Sequence, residues 1–392
     1  MSMTGAVCIY VQHLMGIGHQ RRMAAICRAL RRRGVAVTYV SGGEPVPGLD
    51  TADAAFVQLP PCRCPDLHYD RLVRPDGTPV DDRWRALRRT RLMDAWRSRS
   101  HAVLLVETYP FGRKLLRFEL APLLERARVD GAKCVSSIRD IIDYRPKHSK
   151  YVVMAEAALQ SFDAVLVHSD RNWIALEDSF PATGRIAHLL HYTGFVDEGA
   201  DVVSTAESGA APAGLDEVLV SAGGGAYGEH VLRAALEARP QSVFRSHRWR
   251  LLVGPNLPHE RFADLQRSAG GEVIVERART DFRMMLRRAA LSVSQGGYNT
   301  VIDLLVTGVA SVVVAYHDQT EREQLLRARA LQARGLLTVL PDVELEPASL
   351  ATAMERAQSD ARRRSRTAFG SVRVDGAERS AELLAAWAGQ VG

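Results

Sequence analysis

Short apolar runs alternate with longer amphipathic stretches along most of this sequence. The runs lie at residues 7–11, 35–40, 102–107, 134–138 and 164–167, and again at 217–220, 251–253, 273–275, 290–293 and 311–314. Continuous apolar runs of this length are typical of strands buried on both faces of a parallel sheet, and the stretches between them have the period of helices. The alternation predicts doubly wound α/β sheets, in which ligands bind at the carboxyl ends of the strands.

Three of the predicted strands end in a glycine-rich turn that leads directly into a helical pattern. The turns are QHLMGIGHQ at residues 12–20, SAGGGAYG at 221–228 and SQGGYNTVID at 294–303. Glycine permits a tight turn, and the amides that begin the next helix bind anions at the positive end of its dipole. In the last turn, Asp303 follows about one turn into the helix, where a carboxylate suits the hydroxyl pair of a ribose. A plain glycine turn with a solvated Asp303 is the alternative.

The two opening βα units, at residues 12–20 and 221–228, imply two domains. The length agrees, because 392 residues exceed what one hydrophobic core usually serves. We expect a first domain at 1–196, a polar linker at 197–214, a second domain at 215–370, and a final helical segment at 371–392.

The composition indicates a cytoplasmic protein without a metal site. The sequence has no apolar run of about eighteen residues and no apolar signal core at its amino terminus. Cys62 and Cys64 are the one close cysteine pair, with a spacing that suits zinc poorly, and no cluster of aspartates typical of a divalent-metal site stands out. The net charge of +6 indicates anionic ligands, its positive side chains are mostly arginine, and we expect no nucleic-acid partner.

The densest basic stretch, residues 83–99, is predicted to be a surface helix. Its apolar residues Trp84, Leu87, Leu92 and Trp96 have roughly helical spacing and would form an inner stripe. The alternative is that this helix contacts an anionic membrane surface or a lipid-linked acceptor.

The second half of the chain resembles the donor half of GT-B glycosyltransferases of the MurG type. The resemblance rests on residues 282–315 with the motif SQGGYNTVID, on DQTEREQLLRA at 318–328, and on the two earlier glycine turns. The segments at 12–22, 107–113 and 136–142 resemble a group of predicted bacterial glycosyltransferases distinct from MurG itself. The resemblance implies an α/β GT-B fold with two Rossmann-like domains facing an interdomain cleft. It also implies that the final helix crosses back to the first domain.

The resemblance implies that the second domain binds a nucleotide-diphosphate sugar, with UDP as the favoured nucleotide. Asp303 stands where the family places a ribose-binding glutamate, and Glu323-Gln324 stands where it usually holds the sugar with a Gln-Gln pair. Asp318-Gln319 is a rival sugar-binding pair, and a solvated helix start is the alternative for all four of these residues. The expected donor-binding residues are Gly223, Gly224, Gly225, Gly296, Gly297, Asn299, Thr300, Asp303, Asp318, Gln319, Glu323 and Gln324.

His19 is the candidate general base. Transfer of a sugar requires a proton to leave the acceptor hydroxyl, and a histidine at a helix start stays neutral and able to accept it. A structural histidine is the alternative, and His13 is a weaker candidate for the base. Glu107 or Asp140 would serve as the base or orient His19. The expected acceptor-binding residues are Gly16, Gly18, Arg21, Arg113 and Arg139, and His168 and Ser169 also lie at a strand end on this side.

These features favour an inverting, metal-independent hexosyltransferase that uses no cofactor besides its nucleotide-sugar substrate. The alternatives are a nucleotide-sugar epimerase or hydrolase of the same fold, and a non-catalytic nucleotide-binding partner of another transferase. The sequence leaves open whether the acceptor is a lipid-linked sugar, a polysaccharide or a small natural product. It also leaves open the oligomeric state and whether the protein contacts the inner membrane face peripherally.

Overall fold

The computed structural model describes residues 5–66, 69–142, 148–199, 213–222, 228–254, 256–318, 322–363 and 372–390. The chain divides into two compact units. Unit 1 consists of residues 1–142, 146–198 and 373–392, and unit 2 consists of residues 143–145 and 199–372.

Unit 1 is built on a seven-stranded parallel sheet of order β3-β2-β1-β4-β5-β6-β7. The strands are β1 Ala6–Val11, β2 Val37–Ser41, β3 Ala55–Gln58, β4 His101–Glu107, β5 Lys133–Arg139, β6 Ala164–His168 and β7 Leu190–Tyr192. Strands β1, β4 and β6 are buried along their whole length, which explains their uninterrupted apolar character.

The helices of unit 1 cover both faces of this sheet. They are α1 Gly18–Arg32, α2 Asp82–Arg97, α3 Arg117–Val129, α4 His148–Ser161 and, at the carboxyl end of the chain, α11 Gly376–Gln390. Helix α11 packs against α1 and β4, and its residues Ala381, Leu384 and Ala388 are buried in the core that surrounds β1. The last helix of the chain is therefore part of unit 1.

Unit 2 is built on a six-stranded parallel sheet of order β10-β9-β8-β11-β12-β13. Its strands are β8 Val218–Ser221, β9 Trp249–Val253, β10 Val273–Arg277, β11 Leu291–Gln295, β12 Ser311–Ala315 and β13 Thr338–Pro341. Its helices are α5 Glu229–Ala238, α6 His259–Ala269, α7 Phe282–Leu286, α8 Tyr298–Thr307, α9 Glu323–Gln332 and α10 Pro347–Arg363. The prediction of two parallel α/β sheets is confirmed.

The structure departs from the sequence prediction in two respects, the edge strands of the sheets and the buried face of α2. Strands β3, β7 and β13 were not predicted, and each lies at an edge of its sheet, where one side of the strand has no neighbour. In α2, Leu92 and Trp96 are buried as predicted, but Leu87 is exposed and Arg88 is completely buried instead.

Among the described residues, no helix combines the length and the apolar composition needed to cross a bilayer.

Candidate functional site

The sheet of unit 1 brings His19 and Glu107 together at its carboxyl edge. His19 is the second residue of α1, which follows β1 after a short turn, and Glu107 is the last residue of the neighbouring strand β4. The Nδ1 atom of His19 lies 2.9 Å from Oε1 of Glu107. The side chain of His19 is 16% exposed and that of Glu107 is 0% exposed, so the imidazole is the member of this pair that a bound molecule can reach.

The hydrogen bonds around Glu107 indicate which nitrogen of His19 carries the proton. Arg22, one turn further along α1, donates to Oε1 of Glu107 and lies 3.1 Å from Nδ1 of His19. A guanidinium only donates, and a carboxylate only accepts. The arrangement is consistent when Nδ1–H of His19 also donates to Glu107, so we assign the proton to Nδ1 and leave Nε2 as an acceptor.

The electrostatic surroundings keep the imidazole neutral and the carboxylate charged. Burial, and after it the positive charge of Arg113, lower the pKa of His19 to about 3. Burial acts to raise the pKa of Glu107, but the charge of Arg22 and the hydrogen bond from His19 outweigh it and hold that pKa below its usual range. The pair therefore consists of a neutral base and an ionised partner, as a general base with an orienting carboxylate requires.

A chain of hydrogen bonds continues from Glu107 into the interior of unit 1. Ser137 donates from Oγ to Oε2 of Glu107 at 2.5 Å and lies 2.9 Å from Nε2 of His168. On the other side of the ring, Nδ1 of His168 lies 2.9 Å from Oγ1 of Thr193. Ser137, His168 and Thr193 are completely buried. His168 therefore supports the site from behind and does not line the surface where an acceptor would bind.

The other predicted residues of unit 1 differ in their surroundings. Asp140 directly follows β5 and is completely buried, and the carboxylate that contacts His19 is that of Glu107.

Arg113 donates from Nε to the carbonyl oxygen of Gln12 at 2.9 Å and has a left-handed backbone, with a φ of 61°. Arg21 is exposed, and Arg139 is half-buried at the end of β5. Gly16 and Gly18 have open space where a side chain would stand.

His13 is held as a structural residue. It is buried, and its Nδ1 lies 3.2 Å from the amide nitrogen of the Gln20 side chain. The backbone of Gly43 packs so closely that a Cβ atom there would lie 2.3 Å from Nδ1 of His13. Of the two histidines in this turn, His19 is the one placed for chemistry.

In unit 2, a glycine turn joins β11 to α8 at the place where the sequence predicts an anion-binding element. Helix α8 begins after Gly297, which has no side chain to cap the first amides of the helix. Gly296 is buried beside α9, and a Cβ atom there would lie 3.3 Å from Oε1 of Gln324. That oxygen also lies 3.3 Å from the backbone nitrogen of Tyr316, just past β12. Gln324 thus adjoins the glycine turn, and Asn299 and Thr300 lie half-buried in the first turn of α8.

Two of the three predicted donor-site carboxylates, Asp303 and Glu323, are paired with arginines. Oδ1 of Asp303 accepts from Nε and NH2 of Arg283 at 2.8 and 2.5 Å. Glu323 accepts from the completely buried Arg327, one turn along α9, at 2.6 Å. The side chains of Arg283 and Asp303 are 19% and 21% exposed. The half-buried pair stays open to a ligand, whereas Glu323 is largely buried.

The remaining donor candidates are only partly covered by the structure. Asp318 is exposed and accepts a hydrogen bond from the Tyr316 hydroxyl at 2.9 Å, while Gln319 and Gly223, Gly224 and Gly225 lie outside the described residues. Ala222 and Gly228, which lie on either side of these three glycines, pack closely together, because a Cβ atom on Gly228 would lie 2.2 Å from Cβ of Ala222. In the part of the chain that the structure describes, no group of three His, Cys, Asp or Glu residues is arranged to hold a metal ion.

A family profile matches most of the sequence of unit 2 and the start of α11. Residues 220–380 match the profile of the glycosyltransferase family 28 C-terminal domain. The predicted resemblance to MurG-type glycosyltransferases is confirmed by this match, and the distinction from MurG itself stays a prediction.

Two relatives agree with the family 28 assignment over a limited length. Both are UDP-N-acetylglucosamine–N-acetylmuramyl-(pentapeptide) pyrophosphoryl-undecaprenol N-acetylglucosamine transferases. The protein from Rubrobacter xylanophilus is 35% identical over 97 residues, which are 25% of this chain and 29% of that protein. The protein from Agrobacterium fabrum is 31% identical over 105 residues, which are 27% of this chain and 28% of that protein. The chain therefore matches less than a third of the length of each relative.

Solved structures match the whole chain at low sequence identity. The calicheamicin glycosyltransferase CalG4 superimposes with a TM-score of 0.65 and 17% identity over 100% of both chains. The glycosyltransferase of kitacinnamycin gives 0.64 and 14%, over 98% of this chain and 99% of that one. MurG of Acinetobacter baumannii gives 0.62 and 12%, over 97% and 99%. The prediction of a GT-B fold is confirmed.

Proposed function

We propose that this protein is a glycosyltransferase that moves a hexose or amino sugar from a nucleotide-diphosphate sugar to an acceptor hydroxyl. The observation that carries the proposal is the contact between the neutral, reachable His19 and the buried carboxylate of Glu107 in a chain with a family 28 C-terminal domain. UDP is the proposed nucleotide, because the names of both relatives specify UDP-N-acetylglucosamine as their donor.

His19 is the proposed base. Its Nε2 accepts the proton of the acceptor hydroxyl while that oxygen forms a bond to the anomeric carbon of the sugar. The bond from that carbon to the nucleotide's phosphate oxygen breaks, and the nucleoside diphosphate leaves with the electron pair. Glu107 holds Nδ1 of the ring and stabilises the positive charge that forms on it. General base catalysis by His19 is worth roughly 10²- to 10⁴-fold in rate. A single displacement of this kind inverts the anomeric centre.

The glycine turn of unit 2 is the proposed site for the nucleotide diphosphate. The first amides of α8, after Gly297, are the proposed donors to the charge that grows on the leaving phosphate, so no metal is needed in this proposal. The N–H groups of Gly296 and Gly297 donate instead to the carbonyl oxygens of Val314 and Gln295. Asp303, held in place by Arg283, is the proposed ribose contact. Gln324, beside Gly296, is the proposed contact for the sugar hydroxyls.

Glu323 is less suited to choosing the sugar than its neighbour Gln324. Its carboxylate is largely buried and already balanced by the charge of Arg327. Its charge is therefore not a basis for choosing between a hexose and an amino sugar, and both stay in the proposal.

The proposal includes a cytoplasmic location, with peripheral contact at the inner membrane face if the acceptor is lipid-linked. This extension takes its support from the relatives, whose names specify an undecaprenol-linked acceptor. A polysaccharide or a small natural product is the alternative acceptor.

A thermal-shift panel tests the nucleotide first. Uridine, thymidine, guanosine and cytidine diphosphates are compared, because a ligand at a hundred times its dissociation constant stabilises the folded state by roughly 2.7 kcal/mol. The best nucleotide's sugars are then incubated with acceptors of the three classes, and the products are examined by mass spectrometry. A product heavier by one hexose unit supports transfer. Hydrogen exchange at a sugar carbon without an acceptor indicates an epimerase instead, and binding without turnover indicates a non-catalytic partner.

A further inference from the structure

The hydrogen bonds behind Glu107 extend the candidate site across three neighbouring strands. Glu107 ends β4 and lies beside Ser137 on β5 in the register of the sheet. Ser137 lies beside Leu166 on β6, and His168 comes two residues after Leu166 on the same strand. Because side chains on a strand alternate between the two faces, His168 projects from the same face of the sheet as Ser137.

The charges at this site allow one consistent direction for these hydrogen bonds. Glu107 is ionised and accepts only, so the single hydroxyl proton of Ser137 points to Oε2 of Glu107. The oxygen of Ser137 is then the acceptor for Nε2–H of His168. Burial lowers the pKa of His168 to about 3, so the ring is neutral, and its Nδ1 is left as an acceptor 2.9 Å from Oγ1 of Thr193. The Thr193 hydroxyl also lies 3.3 Å from the carbonyl oxygen of Val167 and 3.1 Å from that of Gly194.

The hydrogen bond from Ser137 orients the Glu107 carboxylate toward His19. A carboxylate whose Oε2 is held by Ser137 cannot rotate freely, and its Oε1 is left facing Nδ1 of His19. A carboxylate fixed in this way selects the ring tautomer with its proton on Nδ1 and its lone pair on Nε2. The same logic applies to buried groups that orient a histidine in other hydrogen-bonded networks.

We propose that Ser137 and His168 are positioning residues that fix the tautomer and orientation of His19 through the second oxygen of Glu107. Neither touches a bound molecule, because both are completely buried. The inference rests on the proposed function for its effect on turnover. Its effect on the imidazole of His19 is independent of that function and can be measured without any substrate.

The chain provides a matched control for each positioning residue. Ser136 is also completely buried and is adjacent to Ser137, but it donates to the carbonyl oxygen of Tyr109 at 2.7 Å. His101 is buried with hydrogen-bond partners at both ring nitrogens, the carbonyl oxygen of Trp96 and the hydroxyl of Thr38. Ser136→Ala and His101→Leu therefore remove similar buried groups without touching the contacts of Glu107.

The first measurement uses nitrogen-15 NMR of histidine-labelled full-length protein. In the wild type, His19 is expected to carry its proton on Nδ1. Ser137→Ala and His168→Leu should shift a measurable fraction of His19 to the Nε2-protonated form, whereas the two controls should not. His168→Gln should restore the wild-type spectrum of His19, because a glutamine amide keeps an N–H donor toward Ser137. If His168→Leu does not fold, Ser137→Ala and His168→Gln still decide the result.

The second measurement is turnover. Ser137→Ala should lower kcat by about tenfold, the effect of one hydrogen bond to a charged group, with the KM for the donor unchanged. In a Glu107→Gln background the same substitution should cause no further loss, because the two residues act through one another. Additive losses would mean a purely structural role and would overturn the proposal, as would an unchanged His19 tautomer in folded variants. A changed tautomer in a protein that transfers no sugar supports the positioning role and counts against the proposed function alone.

Discussion

Two arginine–glutamate pairs are buried in unit 1, and they differ in what their remaining hydrogen-bonding groups contact. Arg88 on α2 binds both oxygens of Glu119 on α3, and its other N–H groups reach the carbonyl oxygens of Gly42 and Pro60 and the side chain of Gln12. All five donors of the guanidinium are thereby used within the chain. Tyr10 completes the cluster by donating to Glu119.

The second pair, Arg22 and Glu107, is joined by His19, whose ring is still partly exposed. The Arg88 cluster is closed on itself and therefore holds β1, α2, α3 and two loops in place. The Glu107 cluster ends in an imidazole nitrogen that the surrounding contacts leave as an acceptor. Burial and charge are similar in the two clusters, so neither property identifies a functional site alone. What distinguishes the Glu107 cluster is its partly exposed end at His19.

Opening the closed cluster should produce the largest change in stability. Arg88→Ala leaves Glu119 buried without its charge partner, which typically costs about 3 to 5 kcal/mol. The matched control is Arg89→Ala, an exposed neighbour on the same helix, which should change the free energy of unfolding by no more than about 0.5 kcal/mol. Urea unfolding followed by circular dichroism measures both. Similar small effects would mean that the Arg88 cluster contributes little to the fold.

Removing the reachable end of the other cluster should change turnover and not stability. His19→Ala is expected to lower the transfer rate by roughly 10²- to 10⁴-fold while nucleotide affinity and melting temperature stay close to wild type. His13→Ala, in the same turn, should show the reverse pattern, because His13 is buried against Gly43. A stable, nucleotide-binding His19 variant with near-normal transfer would rule this residue out as the base.

A third substitution tests whether the partly exposed Arg283–Asp303 pair of unit 2 binds a ligand, as we propose for the partly exposed His19. Asp303→Ala should weaken binding of the nucleoside diphosphate by about tenfold or more, which corresponds to about 1.4 kcal/mol. Gln324→Ala is the contrast, since it should reduce transfer from the intact nucleotide sugar and leave affinity for the bare diphosphate unchanged. Calorimetry with both ligands separates the two roles. Unchanged affinity in the Asp303 variant would assign its pairing with Arg283 to the framework alone.

The sequence predicts the buried parts of this molecule better than its edges and its connections. Central strands such as β4 are recognisable because burial on both faces demands a continuous apolar run. The edge strand β3 has exposed positions and lacks that run. His19 and Glu107 can be found because His19 begins the helix that follows the glycine turn after β1, and Glu107 is the last residue of β4. The link from Glu107 through Ser137 to His168 depends on the register of three strands, which no local pattern specifies.

The same limit applies to Arg88. It lies among many arginines in a basic helix, and nothing in the local sequence distinguishes it from the exposed Arg89. Its burial follows from the position of Glu119, which lies 31 residues further along the chain. The helical spacing of Trp84, Leu87, Leu92 and Trp96 indicated an inner stripe of apolar residues. A charged pair occupies part of that inner face instead.

The smallest expected effect concerns the pH dependence of transfer. The pKa of His19 is lowered from 6.5 to about 3 by burial and by the charges of Arg113 and Arg22, against the opposing influence of Glu107. The ring should therefore stay neutral as the pH falls from 8 to 5, and the transfer rate should stay flat over that range. Protonation would stop the reaction only near pH 3. An acidic limb near pH 6.5, the ordinary pKa of histidine, is therefore not expected.

Stability should respond to pH even where turnover does not. Between pH 6.5 and about 3, His19 is protonated in the unfolded chain but stays neutral in the folded chain. Because the unfolded state binds more protons, the free energy of unfolding falls as the pH falls through this window. The buried His101, whose pKa is lowered to about 4, adds to the same loss. His101→Leu should therefore weaken the pH dependence of unfolding and leave the flat rate profile unchanged. Urea unfolding and initial rates, measured at pH 8, 6.5 and 5, test both statements, and a wild-type acidic limb centred near pH 6.5 would contradict the assignment of a neutral, shielded His19.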